Sequence, residues 1–174
     1  MISFEKAFDR IVGHEGGFQN QHLDRGNWTS GKVGTGELKG TKFGISAMSY
    51  PHLDIKNITR EDVKPIYYKD FWLPLGGDSL DPALVFQAFD ASFHHGISNC
   101  IQMVQRALRV IDDGHFGPKS LQALKEMDTS DLIMRFLAQR LRFMTNTKVW
   151  DLYSRGWTRR ICDNLEYASE DTVE

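Results

Sequence analysis

From Ser3 onward the apolar residues Phe4, Ala7, Phe8, Ile11 and Val12 recur at i, i+3, i+4, i+7 and i+8. This spacing predicts an amphipathic helix with Ser3 as its N-cap, ended by Gly16-Gly17. From Phe18 to Ile45 the pattern becomes short, polar and turn-rich, with Thr41-Lys42-Phe43-Gly44-Ile45 as the best strand, so a small antiparallel sheet is expected. A capping-box-like Thr59-Arg60-Glu61-Asp62 opens a helix carrying Val63, Ile66, Tyr67, Phe71 and Trp72, with Pro65 kinking its first turns. Asp81-Pro82 starts a helix over 82–93 that is apolar on most sides and therefore belongs at the centre of the fold. Further helices are predicted at about 99–111, 118–127, 131–146 and 157–167, followed by a frayed acidic tail after Ser169.

Nine of the 15 glycines fall between positions 13 and 44, whereas 118–155 has none. The order is helix, glycine-rich hairpin region, then helices: a predominantly helical α+β chain. At 174 residues and 41% apolar content it can bury a core without a disulfide scaffold. Cys100 and Cys162 lie in helical patterns and are read as buried free thiols.

The net charge of −2 gives no global basic field for nucleic acid or anionic lipid. Met1-Ile2-Ser3-Phe4-Glu5-Lys6 reaches charge too soon for a signal peptide or a membrane span, so a cytoplasmic protein without stable membrane insertion is expected.

The densest chemical signal is His14-Glu15-Gly16-Gly17-Phe18. A carboxyl at the carbonyl end of a helix meets partial negative charge, and with partial burial its pKa rises, as a general acid for glycoside cleavage requires. The alternative is a solvated glutamate in the last turn. Asp24, in the turn Asp24-Arg25-Gly26, is either the second carboxyl across a cleft from Glu15 or an Asx-turn residue.

Metal chemistry has little support: His14 has Phe18 at i+4, and His94-His95-Gly96 lacks a local third ligand. Asp112-Asp113-Gly114 lacks the closing glutamate of a calcium loop. Neither a metal nor another cofactor is expected. Asp90, within the apolar helix, needs either an opening to substrate or a buried arginine such as Arg140 or Arg142. His94 either lines the cleft or caps the helix end, and Tyr68 or Trp72 offers a face for a sugar ring within a mostly core aromatic cluster. Trp157 with Arg159 and Arg160 reads as the packing anchor of the last helix.

Four segments in order, Glu15-Gly16-Gly17-Phe18, Asp24-Arg25-Gly26, Gly40-Thr41-Lys42-Phe43-Gly44-Ile45 and Ile66-Tyr67-Tyr68-Lys69-Asp70-Phe71-Trp72, resemble glycoside hydrolase family 108. That family consists largely of phage endolysins acting as N-acetylmuramidases, and its pattern is similar to the active-site arrangement of phage-type lysozymes. Asp113-Gly114-His115-Phe116-Gly117-Pro118-Lys119-Ser120 resembles the peptidoglycan-domain half usually paired with it.

The resemblance implies one lysozyme-like domain over 1–174, with a catalytic half at 1–93 and a helical half at 94–174 similar to a peptidoglycan-binding domain. It implies Glu15 as acid, Asp24 as base or electrostatic partner, and Thr41 as the positioner of water, with Thr29 and Ser30 as competitors for that last role. Tyr68, Asp90 and His94 are the candidate substrate contacts. The implied activity is cleavage of the β-1,4 bond between N-acetylmuramic acid and N-acetylglucosamine in bacterial peptidoglycan. A lytic transglycosylase and a non-catalytic wall-binding module are the alternatives. The implied setting is a monomer that stays in the host cytoplasm until a holin admits it to the periplasm or wall.

Overall fold

The computed structural model describes residues 2–13, 17–77 and 80–172. Among these the elements are α1 (Phe4–Val12), β1 (Thr41–Lys42), β2 (Ile45–Ser46), α2 (Arg60–Tyr67), α3 (Pro82–His95), α4 (Ile97–Leu108), α5 (Pro118–Glu126), α6 (Thr129–Thr145) and α7 (Trp150–Asp171). No helix among the described residues is long and apolar enough to cross a membrane. The architecture is predominantly helical α+β, as the apolar periodicity predicts. The chain divides into two compact units, one of residues 5–70 and one of 1–4 with 71–174. In the second unit α3 packs on α4, α6 and α7 and so groups with the helices that follow it.

In the 5–70 unit, α1 buries Ala7, Phe8, Ile11 and Val12, the face that its 3.6-residue period selects. The ring of Phe8 meets Tyr67 edge-on at 5.3 Å. A full capping box opens α2: the Thr59 hydroxyl accepts from the Asp62 amide, and the Asp62 carboxylate accepts from the Thr59 amide. Pro65 lies inside α2, which passes into a wider π turn at Tyr68–Trp72 and a 3-10 turn at Leu73–Leu75, where Gly76 in the left-handed region stops it (φ 79°). At the end of this unit the Tyr50 hydroxyl donates to Asp70 at 2.7 Å. Burial, then that carboxylate, raises the Tyr50 pKa.

The expected strand Thr41–Ile45 is instead a tight hairpin. β1 and β2 pair antiparallel, with Thr41 opposite Ser46 and Lys42 opposite Ile45, and the two turn residues between them, Phe43 and Gly44, have φ of 47° and 69°. Two successive positive φ values are the signature of a type I′ turn, whose twist matches that of paired strands. A phenylalanine is a poor signal for this turn, which is why the pattern reads as a continuous strand.

The 71–174 unit is built around α3. All residues from Ala83 to Ser92 are buried, so this helix has no solvent face, as its composition predicts. Asp81 caps it by accepting from the Ala83 amide at 3.0 Å, and Pro82 supplies its first helical position. Trp72 meets Phe89 edge-on at 5.3 Å and Phe4 at 5.5 Å. Cys100 is buried and donates its thiol to the Ala88 carbonyl at 3.1 Å. Cys162, expected to be buried, is exposed on α7. The last helix begins at Trp150, seven residues before the predicted start, and continues through Gly156 to Asp171.

Candidate active site

Asp24 stands where the chain turns into a short 3-10 segment, Arg25–Asn27. One carboxylate oxygen, Oδ1, accepts the Gly26 amide at 2.8 Å, which is an Asx turn. The other, Oδ2, lies 3.4 Å from the Gln19 Nε2 that donates to it. Gln19 Oε1 accepts in turn from Asn27 Nδ2 at 2.9 Å, and Asn27 Oδ1 accepts the Thr41 hydroxyl at 2.8 Å. Thr41, Asn27, Gln19 and Asp24 therefore form one chain in which every donor points toward the carboxylate.

The direction of that chain follows from its end. An ionised carboxylate only accepts, so Gln19 must present its NH2 group to it and its oxygen to Asn27; Asn27 then presents its oxygen to Thr41. Asn27 is fully buried. Its second amide proton goes to the Gln21 carbonyl at 3.0 Å, and its own carbonyl accepts the Lys39 and Gly40 amides, each at 3.0 Å. With its proton committed to Asn27, the Thr41 hydroxyl has only lone pairs left for a ligand.

The backbone supports the same arrangement. Gln19 and Thr41 exchange both main-chain hydrogen bonds, at 2.9 and 2.8 Å. Gly40 makes their approach possible: at its φ of 85° a Cβ would stand 2.5 Å from the Gln19 carbonyl and 2.7 Å from the Phe18 ring. The Tyr67 hydroxyl donates to the Phe43 carbonyl at 2.9 Å and so ties the I′ turn to α2. Next to this hairpin lies a cleft of about 510 Å³ lined by Phe18, Asn20, Leu38, Lys39 and His52–Lys56.

Thr29 and Ser30 are used elsewhere. The Thr29 hydroxyl accepts the Glu37 amide at 3.0 Å, and the Ser30 hydroxyl donates to the Thr35 carbonyl at 2.7 Å. Both close the inserted loop whose ends are bridged at Trp28 and Leu38. Glu15, with His14 and Gly16, lies outside the described residues.

Tyr68 is half-buried in the π turn that follows α2. Trp72 is 1% exposed and presents no face to a sugar. Asp90 takes the arginine-paired position rather than an opening to substrate, which corrects its expected role as a substrate contact. It is 3% exposed, Arg140 and Arg160 each reach it at 2.6 Å, and Asn164 donates to it at 2.8 Å, so its lone pairs are satisfied internally. Although burial alone would raise its pKa, the two guanidiniums and these hydrogen bonds hold it well below the usual carboxylate range.

His94 and His95, at the end of α3, pack edge-on against Trp157 at 6.2 and 6.4 Å. Burial, then the neighbouring arginines, lowers both imidazoles to about 3, so both are neutral at physiological pH. The Asp113–Ser120 run folds onto Gln105, whose amide donates to Asp113, the His115 carbonyl and Ser120 while its oxygen accepts the Gly114 amide.

Gln19 and Asn27 are the site residues that the sequence did not single out. Both sit in a polar, glycine-rich stretch where amides read as turn formers. The available signal was that Asn27 immediately precedes a buried tryptophan, Trp28, and a buried amide needs partners.

With this geometry in view, comparisons with known proteins place the chain. No curated protein sequence matches it significantly. Among solved structures, that titled Structure of Brucella abortus SagA aligns over 98% of this chain and 94% of its own, with a TM-score of 0.79 and 23% identity. The fold is thus the predominantly helical, lysozyme-like α+β arrangement. The family model for glycosyl hydrolase 108 matches residues 8–96, just over half of the 174, which include Asp24, Gln19, Asn27 and Thr41; the chain belongs to the glycosyl hydrolase 108 family.

Proposed function

We propose that this glycoside hydrolase cleaves peptidoglycan at the β-1,4 bond between N-acetylmuramic acid and N-acetylglucosamine, with Glu15 as general acid and water as nucleophile. The observation that carries this reading is the one-way hydrogen-bond chain from Thr41 to Asp24. With its own proton committed to Asn27, Thr41 Oγ1 accepts from the attacking water and leaves that water's lone pair for the anomeric carbon, and the proton the water loses as the bond forms passes to the Asp24 carboxylate as base. Glu15 protonates the bridging oxygen, and the oxocarbenium-like transition state is stabilised by the Asp24 negative charge. Thr41 is used in the sense its hydrogen bond to Asn27 leaves open, as an acceptor.

Transglycosylation, in which the muramic acid's own hydroxyl displaces the leaving group, has no use for a hydroxyl oriented to accept from water. A purely binding module has no use for it either. The family likeness further supports a phage endolysin that acts as a monomer and reaches the wall through a holin.

The test is mass spectrometry of fragments released from purified peptidoglycan, before and after borohydride reduction. Reducible N-acetylmuramic acid ends are expected; anhydro ends would transfer the chain to the transglycosylases, and reducible N-acetylglucosamine ends would move the scissile bond. Glu15→Gln is expected to abolish release while leaving wall binding in place.

A further inference from the structure

Six of the 21 basic residues lie between positions 140 and 160, against one acid, Asp151. Arg140 and Arg160 are engaged with Asp90, but Arg142, Lys148, Arg155 and Arg159 are exposed. Lys148, Arg155 and Arg159 lie in or just before the first turns of α7, whose apolar residues also face solvent: Leu152 is 73% exposed, Tyr153 51% and Val149 44%. Trp150, Tyr153 and Trp157 follow the i, i+3, i+7 spacing of one helix face, with Tyr153 stacked on Trp157 at 5.8 Å and Trp150 tilted against it at 6.1 Å. Leu152 shares the i, i+3, i+7 spacing with Arg155 and Arg159, so the exposed apolar residues and the cations lie side by side on α7. Elsewhere acids are in excess, since the whole chain is at −2, so the positive charge is segregated at this end of α7.

From this arrangement we propose that the α7 face formed by Val149, Leu152 and Tyr153, with Lys148, Arg155 and Arg159 beside it, docks on an anionic lipid surface. Tryptophan and tyrosine with exposed aliphatic side chains suit the headgroup and acyl boundary, and lysine and arginine attract acidic headgroups. The charge complementarity selects an anionic partner. The exposed leucine and valine select lipid over a wall polysaccharide, because sugar rings stack on aromatic faces and gain little from aliphatic tips. Such docking is peripheral and needs no membrane-spanning segment, and it does not depend on the glycan chemistry proposed above.

The experiment is co-sedimentation of the full chain with vesicles of phosphatidylglycerol and phosphatidylcholine, beside vesicles of phosphatidylcholine alone and purified peptidoglycan. Binding to the anionic vesicles, weakened by salt and absent from the neutral ones, is the expected result. Arg155→Gln and Arg159→Gln each weaken it by roughly fivefold, as about 1 kcal/mol per surface cation implies, and Leu152→Ser weakens it at constant charge. Leu152 is exposed enough for that variant to fold, which an unchanged melting temperature verifies. Equal binding to both vesicle types, no vesicle binding, or an unaffected Leu152→Ser variant would overturn the proposal. Loss of peptidoglycan binding in Leu152→Ser, without vesicle binding in the parent, would overturn it as well and assign the face to the wall polymer.

Discussion

The Thr41 hydroxyl donates to Asn27 Oδ1 at 2.8 Å, so the rotor of this hydroxyl is fixed by an amide that is itself buried and fully engaged. Thr41→Ser keeps the donor and is expected to retain most activity. Thr41→Val is close in shape but removes the acceptor, and should lower kcat by on the order of 10²-fold, the scale of a misplaced reactant. Turnover of peptidoglycan beside a thermal melt separates this loss from unfolding. If Thr41→Val turned over like the parent, Thr41 would have no part in placing water.

The Tyr67 hydroxyl and the Phe43 turn give a second pair of variants. Tyr67→Phe removes the 2.9 Å bond to the Phe43 carbonyl and should cost about 1 kcal/mol. Phe43→Asn places at φ 47° a residue that tolerates the left-handed region and should stabilise the hairpin by up to about 1 kcal/mol. Chemical denaturation of the two variants checks both signs.

The buried Asp90 gives the largest expected destabilisation. Asp90→Asn leaves Arg140, fully buried, without its counter-charge, and breaking such a pair costs about 3–5 kcal/mol. The parent's acid response has two windows. His94 and His95 are lowered to about 3, so the unfolded chain takes up protons first, and stability falls as pH drops from about 6.5, the ordinary histidine value, toward 3. Asp90 is depressed too, so its contribution is fully present above about 4, the ordinary aspartate value, and is lost only below that. Melting temperatures from pH 7 to pH 3 should fall less steeply in His94→Gln and His95→Gln.

Thiol labelling distinguishes the two cysteines. Cys162 is exposed and should react in the native protein. Cys100 is buried with its thiol pushed up to about 12, chiefly by burial, and should react only after unfolding. Native labelling at Cys100 would contradict the packing of α3 against α4.

The sequence carries the helices well, because positions such as Ala7, Phe8, Ile11 and Val12 must face one way to be buried. It carries the first turns of α7 poorly: Leu152 and Tyr153 are apolar yet exposed, so their pattern lacks the period of a buried face, and the predicted helix begins only at 157. Asp24 and Thr41 are legible as residue types in turn and strand contexts. Gln19 and Asn27 are not, since their role comes from long-range pairing of Gln19 with Thr41, which no local propensity encodes.

The burial of α3 on every side has a further consequence during synthesis. Residues 82–95 leave the ribosome well before α6 and α7, two of the helices that cover them. For that interval a helix with no polar face is bare, and such surface drives aggregation in incomplete chains. Nascent chains halted before residue 129 should therefore recruit chaperones that the finished protein does not need, and frameshifts that remove α6 and α7 should yield insoluble fragments rather than a smaller, partly active enzyme.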